Sequence, residues 1–234
     1  MGARHTMSTA QRLYENGYIT YMRTDSVVLS GEAIRASRAQ IQEMYGTEYV
    51  PDRPRVYTNK SQGAQEAHEA IRPAGSNFRT PAQVSNQLSG DEFRLYELIW
   101  KRTVASQMAD AKGTTTSVTL DVEGKGRTAQ FGASGTIITF RGFLAAYEEG
   151  RDQSRYAEQD GKDKRLPQMK EGQQLTAAGY TPSGHETTPP PRYTEASLVR
   201  ALEERGIGRP STYAATISVI QDRGYVEKKG TALV

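Results

Sequence analysis

The sequence of 234 residues contains no cysteine, one tryptophan and three histidines. Without cysteine, the chain forms neither disulfides nor thiolate metal sites, which fits a reducing cytoplasm. No apolar run approaches the roughly 20 residues that a membrane-spanning helix needs, and the amino end lacks the apolar core of a secretion signal. We therefore expect a soluble protein with no membrane partner.

The sequence also lacks a large excess of either charge, because 30 basic and 27 acidic residues leave a formal net charge of only +3. Hydrophobic residues make up 36% of the chain, and the mean hydropathy is −0.69. This length and composition predict a polar globular protein with one large or two modest domains. The small positive charge permits a polyanionic partner without requiring one, since clusters of basic residues matter more than totals.

The most informative stretch comprises residues 18–26, close to the amino end. Read as a β-strand, it places Ile19, Tyr21 and Arg23 on one face. A phenol beside a guanidinium has a chemical meaning, because a tyrosine can be a covalent nucleophile when a positive charge lowers the cost of ionising it. The guanidinium could also hold the oxygens of a phosphate under attack. From these residues alone, packing plus a surface charge is the commoner alternative.

Three runs in the same order resemble motifs of the type IA DNA topoisomerases, in particular the bacterial topoisomerase I branch. They are residues 17–26, 65–73 and 206–214. In that family, the tyrosine that precedes Met-Arg-Thr-Asp-Ser is the nucleophile. The resemblance therefore implies that Tyr21 is the catalytic nucleophile and that Arg23 is a second catalytic residue.

The same resemblance implies four DNA-binding residues, His68, Arg72, Arg209 and Thr212. His68 is expected near the DNA backbone, where an imidazole can bind a phosphate or influence the ionisation of a neighbour. Arg72 either contacts DNA or braces its own loop, and both alternatives stay open. Arg209 and Thr212 flank Pro210 at a helix amino end, where N–H groups, a hydroxyl and a guanidinium can cradle a phosphate. Without the resemblance, a helix cap beside a solvated arginine is the commoner interpretation.

The reaction implied by the resemblance starts when the tyrosine cleaves one DNA strand, leaving a 5′-phosphotyrosine and a free 3′ hydroxyl. The other strand passes through the gap, and religation then leaves negatively supercoiled DNA more relaxed. No ATP is needed, because the covalent intermediate keeps the phosphodiester energy. Mg²⁺ is expected for the full-length enzyme, bound outside this chain by an acidic domain that precedes the segment, and we assign no metal ligand here.

The partners implied are single-stranded and negatively supercoiled DNA, and the protein is expected to be a cytoplasmic, nucleoid-associated monomer. The resemblance covers nearly the whole chain but only a central portion of the family protein. We therefore expect these 234 residues alone to be inactive.

The predicted fold class is α+β. Residues 1–112 are expected to form a helical, winged-helix-like tyrosine domain, 113–188 a β-rich arch segment, and 189–234 part of a second helix-turn-helix or winged-helix domain. Periodicity and capping residues predict helices over residues 6–15, 32–45, 90–109, 194–205 and 211–223. The expected amino-terminal caps are Thr6 or Ser8, Ser30, Thr194 and Ser211, and Gly17 is expected to end the first helix in a left-handed conformation. The second helix is expected to bury Ile34, Ile41 and Met44. Alternation predicts an antiparallel meander with strands over 114–122, 127–131 and 136–140, and further strands in 166–175 and 180–186. The turns of the meander are expected at Gly124, Gly126, Gly132 and Gly135.

Three alternatives remain open at this point. A non-catalytic winged-helix DNA-binding module would not depend on the Tyr21 hydroxyl. A structural or interaction domain would show no salt-dependent affinity for nucleic acid. A tyrosine recombinase would attach to the 3′ phosphate, and it normally uses several dispersed basic residues that we do not assemble in this chain.

Overall fold

The computed structural model describes residues 1–58, 69–88, 90–124, 126–148, 166–167 and 169–234. Short 3-10 helices lie at Thr47–Tyr49 and Gly142–Ala145. The other elements are, in chain order, α1 Ala3–Glu15, α2 Gly31–Tyr45, α3 Pro81–Val84, α4 Gly90–Ser106, β1 Lys112–Gly124, β2 Arg127–Phe140, α5 Glu195–Glu204, α6 Tyr213–Asp222, β3 Lys228–Lys229 and β4 Ala232–Leu233. The predicted mixture of helices and antiparallel sheet is confirmed, whereas the winged-helix description stays a prediction.

The chain forms two compact units. The first comprises Met1–Asp110, Gly142–Asp152 and Arg192–Val234, and the second comprises Ala111–Arg141 and Gln153–Pro191. No helix in the described part of the chain is long and apolar enough to cross a membrane. The assignment of three functional domains over 1–112, 113–188 and 189–234 stays a prediction.

The core of the first unit lies where α4 packs on α1 and α2. Leu13 from α1 and Ile41 from α2 are buried there, together with Tyr96 and Trp100 from α4. Each fully buried apolar side chain of this size contributes roughly 1.5–3 kcal/mol to folding. Trp100 donates its indole N–H to Gln40 Oε1 at 2.9 Å, so the only tryptophan is a structural residue of the core.

Helix α1 begins at Ala3, three residues before the predicted start, so the predicted cap at Thr6 or Ser8 is wrong. Both hydroxyls donate to carbonyls of the preceding turn. The Ala3 amide instead donates to Glu195 Oε2 at 2.6 Å. The first free amide of the helix is thus satisfied by a carboxylate 192 residues away in the chain. The local sequence does not reveal such a contact.

Helix α1 ends at a glycine in the left-handed conformation, as predicted. Gly17 has φ +71°, its amide donates to Tyr14 O, and the Tyr18 amide donates to Leu13 O. This pair of hydrogen bonds satisfies the last helical carbonyls and turns the chain sharply. Helix α6 ends in the same way around Gly224, which has φ +69°.

Helix α2 has the predicted cap, because Ser30 Oγ accepts the Ala33 amide at 3.2 Å. The predicted buried face is wrong at Met44, whose side chain is 48% exposed. The face turned to the core consists of small residues and one isoleucine: Ala33, Ala36, Ser37 and Ile41. Small side chains allow close helix packing, but a hydrophobic pattern alone does not identify small residues as the buried ones.

The second unit contains one long antiparallel hairpin rather than the predicted meander. Gly132 and Gly135 were predicted to lie in turns, but they lie inside β2 opposite Thr119 and Thr116. A glycine in an extended strand has no side chain to pack, yet it keeps its backbone hydrogen bonds. The further strands predicted in 166–175 and 180–186 are absent from the described residues of those ranges.

The carboxyl-terminal part carries α5, α6 and a hairpin of two residues per strand. Thr194 caps α5 as predicted, in a reciprocal arrangement with Ser197. The predicted cap of the next helix at Ser211 is wrong, because Thr212 occupies that position and makes no side-chain bond to the helix. Its hydroxyl bonds to Arg209 instead.

Candidate active site

Tyr21 lies in an irregular segment after α1, not in the predicted β-strand. The only bridge formed by this segment among the described residues joins Ile19 to Pro73. Ile19 and Met22 are buried, whereas Tyr21 is 38% exposed and Arg23 is exposed. Ile19 therefore does not share an exposed face with Tyr21, and the strand alternation was wrong at that residue. Tyr21 and Arg23 nevertheless both reach solvent.

The ring of Tyr21 packs edge to face on the ring of Tyr14. Their centroids are 5.4 Å apart and their planes are inclined by 72°. Tyr14 occupies the last turn of α1, whose neighbouring Leu13 is buried in the core. The candidate nucleophile is therefore contacted by an aromatic residue of a helix that is anchored in the core.

Two of the three motifs are joined by hydrogen bonds. The Thr20 amide donates to Arg72 O at 2.9 Å, and the Arg72 amide donates to Thr20 Oγ1 at 3.0 Å. Further along, the Ala70 amide donates to Val28 O at 2.8 Å. The segment with Tyr21 is thus held on both sides by residues 69–74, although the two are some 50 positions apart in the chain.

Arg72 is only 8% exposed, and its side chain is bonded within its own loop. Nη1 donates to Pro73 O at 2.8 Å and to Gly75 O at 3.0 Å, while Nε donates to Glu69 Oε1 at 2.8 Å. The guanidinium also lies over the Phe78 ring, 5.7 Å from its centroid. This arrangement favours bracing of the loop over direct contact with DNA.

Glu69 couples this loop to the start of α2. Its Oε1 accepts the Ser30 amide at 2.8 Å as well as Arg72 Nε. Burial raises the pKa of the Glu69 carboxyl, but the hydrogen bonds from Arg72 and Ser30 outweigh that effect, so its pKa lies below the ordinary value. The carboxylate is therefore ionised at neutral pH and pairs with a buried guanidinium.

Arg79 fixes the turn between α1 and Tyr21. Its guanidinium lies 4.3 Å from the centroid of the Tyr18 ring, and Nη2 donates to Gly17 O at 2.9 Å. The Arg79 carbonyl accepts the hydroxyl of buried Tyr96 at 2.6 Å. Sequence reasoning missed Arg79, because it lies outside the three motifs and nothing in the sequence distinguishes it from a surface arginine.

Arg209 and Thr212 form a tight local turn before α6. Thr212 Oγ1 accepts the Arg209 amide at 2.9 Å and donates to the Arg209 carbonyl at 3.0 Å. The Arg209 guanidinium is exposed and has no hydrogen bond or ion pair with the residues that the structure describes. Thr212 therefore shapes the turn from which Arg209 projects.

The ionisation of Tyr213, the residue after Thr212 in the third motif, is influenced by charges that include one of the first motif. Burial raises the pKa of the Tyr213 phenol, and the negative charges of Glu203 and Asp25 raise it further, whereas Arg209 lowers it. Asp25 belongs to the segment that follows Tyr21 in the chain. Tyr213 is thus close enough to Asp25 for this carboxylate to disfavour ionisation of the phenol.

A comparison with known proteins decides the family. The family model described as DNA topoisomerase matches residues 1–234. The chain belongs to this family. It is 61% identical to DNA topoisomerase 1 of Mycobacterium leprae over 99% of the chain, and 61% identical to that of Streptomyces coelicolor over all of it. In both cases the match covers 24% of the relative, so the chain spans about a quarter of the length of these proteins.

A solved structure also matches the fold of this topoisomerase chain. Full-length topoisomerase I from Thermotoga maritima superposes with a TM-score of 0.73 and 34% identity. The match covers 100% of this chain and 36% of that one. The order of elements described above is therefore that of a type IA topoisomerase segment.

Two expectations about the site concern His68 and a metal ion. His68 lies outside the described residues, so its role as a DNA ligand stays a prediction. Within the described ranges, no three histidine, aspartate or glutamate side chains are grouped so that they could hold a metal ion. The described residues therefore do not fit a Mg²⁺ site.

Proposed function

We propose that this chain supplies the cleaving tyrosine and part of the DNA-binding surface of a type IA topoisomerase that relaxes negatively supercoiled DNA. The observation that carries the proposal is an exposed Tyr21 and an exposed Arg23 in one segment, which the second family motif holds through hydrogen bonds with Arg72. The match of the whole chain to topoisomerase relatives supports it.

In the cleavage step, Tyr21 Oη attacks a backbone phosphorus. A bond forms from phosphorus to the phenolic oxygen, and the bond from phosphorus to the 3′ oxygen breaks. The phenol loses its proton and the 3′ oxygen gains one, which leaves a 5′-phosphotyrosine and a free 3′ hydroxyl. After the other strand passes, that hydroxyl attacks the phosphotyrosine and restores the backbone, so no ATP is consumed.

Arg23 is suited to hold the phosphate during this step. It is exposed and has no hydrogen bond or ion pair with any described residue. A planar guanidinium can donate two parallel hydrogen bonds to phosphate oxygens, and it stays charged at all relevant pH values. We therefore assign Arg23 to stabilisation of charge in the transition state.

Arg209 is suited to hold the strand rather than to take part in cleavage. Its exposed guanidinium projects from a turn at the start of α6, and Thr212 keeps that turn in shape. We assign binding of the DNA backbone to Arg209 and to His68, and support of the site to Arg72 and Thr212. The substrate is single-stranded or negatively supercoiled DNA of the cytoplasmic nucleoid, acted on by a monomer.

The test is to place these 234 residues in a full-length topoisomerase relative and map the covalent product. An oligonucleotide labelled at its 3′ end should remain attached to the protein, because the phosphotyrosine joins the downstream fragment. An oligonucleotide labelled at its 5′ end should be released. Attachment of the 5′-labelled fragment would identify a tyrosine recombinase, and no attachment at all would favour a non-catalytic DNA-binding module.

A further inference from the structure

A cavity of about 760 Å³ opens in the first unit beside the segment that follows Tyr21. Thr24, Asp25 and Ser26 form one wall, and α4 forms the opposite wall. Glu203 from α5 also lines it. The cavity thus lies where the segment with the candidate nucleophile meets the part of the chain that carries Arg209. Its volume falls within the roughly 300–1,000 Å³ of small-ligand pockets.

Aromatic and apolar side chains line much of this cavity and are unusually exposed. Leu98 on α4 is 42% exposed, and the rings of Tyr57 and Phe143 are also exposed. Tyr57 is held in place because its hydroxyl donates to the Ser106 carbonyl at 2.9 Å. Such a surface offers flat faces for stacking, and leaving it in water is unfavourable.

The two arginines of the cavity are engaged within the protein. Arg55 donates to Asp110 Oδ1 at 2.8 Å and to Met108 O at 2.7 Å. The Arg102 guanidinium lies over the ring of Tyr147, 5.3 Å from its centroid, and Nη1 donates to the Tyr147 hydroxyl. Because these cations already have partners, the cavity is poorly suited to a phosphate.

Two carboxylates of the cavity are not engaged in this way. Asp25 and Glu203 line it, and neither has a hydrogen bond or ion pair with the residues that the structure describes. Carboxylates accept hydrogen bonds from exocyclic amino groups, as they do from cytosine N4. A ligand that is flat, uncharged and bears an amino group satisfies both the apolar walls and these acceptors.

We propose that this cavity binds one unpaired nucleobase of the DNA strand, with a preference for bases that carry an exocyclic amino group. The inference rests on the proposed function, since the strand that reaches Tyr21 passes beside residues 24–26. Bases of single-stranded DNA stack on aromatic side chains in many binding proteins, and one captured base would fix the register of the strand at the nucleophile. Phosphate contacts would then supply affinity, and the cavity would supply selectivity.

The experiment uses the 234-residue chain labelled with ¹⁵N and titrated with deoxycytidine, deoxyadenosine and thymidine, followed by amide NMR shifts. These nucleosides carry no phosphate, so the readout is independent of backbone binding and of cleavage. We expect saturable shifts at Asp25, Leu98 and Phe143, with deoxycytidine and deoxyadenosine binding more tightly than thymidine. Absence of shifts at these residues, or equal affinity for thymidine, would overturn the proposal.

Variants inside and outside the cavity distinguish nucleoside binding in the cavity from binding elsewhere on the surface. Leu98→Trp fills the mouth and should weaken nucleoside binding by about fivefold or more, on the scale of one lost stacking contact. Met44→Trp changes a similarly exposed apolar residue on α2 outside the cavity and should leave binding unchanged. Glu203→Ala, at an exposed site, should abolish the preference for deoxycytidine over thymidine. Unchanged affinity in Leu98→Trp, or an unchanged preference in Glu203→Ala, would contradict the inference.

Failure of the base-binding proposal can be distinguished from failure of the proposed topoisomerase function. If Tyr21 forms the covalent adduct but nucleosides do not bind, only the base-binding site is wrong. If nucleosides bind at the cavity but Tyr21 forms no adduct, the topoisomerase assignment fails and a base-binding site remains.

Discussion

Tyr14 holds the ring of Tyr21 edge to face, with the ring centroids 5.4 Å apart. Tyr14 belongs to the last turn of α1, and its carbonyl accepts the Gly17 amide that ends the helix. The orientation of the candidate nucleophile is therefore tied to a helix anchored in the core. A catalytic side chain supported in this way loses less freedom on reaching the reactive geometry.

We expect Tyr14→Ala to slow formation of the covalent adduct by about two- to tenfold, because an edge-to-face pair contributes about 0.5–1.5 kcal/mol. Tyr14→Phe keeps the ring and should react at nearly the parent rate. The measurement is single-turnover cleavage of a labelled oligonucleotide, with the chain placed in a full-length relative. Equal rates for Tyr14→Ala and Tyr14→Phe would show that the ring contact does not position Tyr21.

Replacement of Arg23 should mainly affect the cleavage rate, and replacement of Arg209 should mainly affect the affinity for DNA. Arg23→Ala should lower the cleavage rate more than the affinity for DNA, since a contact made in the transition state changes the rate of chemistry. Arg209→Ala should lower affinity more than the cleavage rate. Single-turnover rates at saturating enzyme, measured beside equilibrium binding, separate the two effects, and the reverse pattern would exchange the assigned roles.

Glu69 should make the stability of the first unit depend on pH. Its folded-state pKa lies below the ordinary value of 4.5, so its contribution is fully present above pH 4.5 and is lost as pH falls through the lowered pKa. Glu69→Gln leaves the buried Arg72 without its charged partner and should cost about 1–3 kcal/mol at pH 7. The difference between parent and variant should shrink in acid.

Urea unfolding followed by the fluorescence of Trp100, the only tryptophan, reports on this unit directly. Glu97→Gln is a matched control, because Glu97 pairs with Lys101 at 2.9 Å on the exposed face of α4. Such an exposed pair contributes at most about 0.5 kcal/mol. A loss in Glu69→Gln no greater than in the control, or one that grows in acid, would refute the bracing role.

Local signals predicted some of the helix ends but not the structure of the segment at the candidate site. Ser30 and Thr194 cap their helices as expected, and Gly17 ends α1, because capping depends on a few neighbouring residues. The alternation over residues 18–26 failed because a strand needs a continuous partner. The partner here is the short segment 69–74, which bonds the chain at scattered points.

Residues that support the site were harder to predict than those that would contact DNA. Tyr21, Arg23 and Arg209 stand in recognisable motifs, whereas Arg79 and Tyr14 act through contacts that only the folded chain creates. Arg72 illustrates the same limit, since one arginine in a motif is compatible with both DNA contact and bracing until its burial is known. The carboxylate of Glu195 at the start of α1 is likewise a long-range contact.

The chain by itself should bind single-stranded DNA weakly and should not relax a supercoiled plasmid. Affinity measured by fluorescence anisotropy should fall with salt, with an exponent of about 0.7 for each neutralised phosphate. Arg209→Ala should reduce that exponent by about 0.7, since one phosphate contact is lost. A binding constant that is insensitive to salt would indicate a structural domain, and relaxation by the isolated chain would show that these residues complete an active site.

The most direct test of the account compares Tyr21→Phe with Tyr18→Phe in a full-length relative that carries these residues. Tyr18 is the natural control, because it lies three positions away and its hydroxyl bonds to Gln87 rather than to a reacting group. Denaturing electrophoresis of the protein after reaction with a 3′-labelled oligonucleotide detects the covalent adduct. We predict that Tyr21→Phe binds DNA but forms no adduct, while Tyr18→Phe forms it. An adduct that survives in Tyr21→Phe would contradict the assignment of the nucleophile.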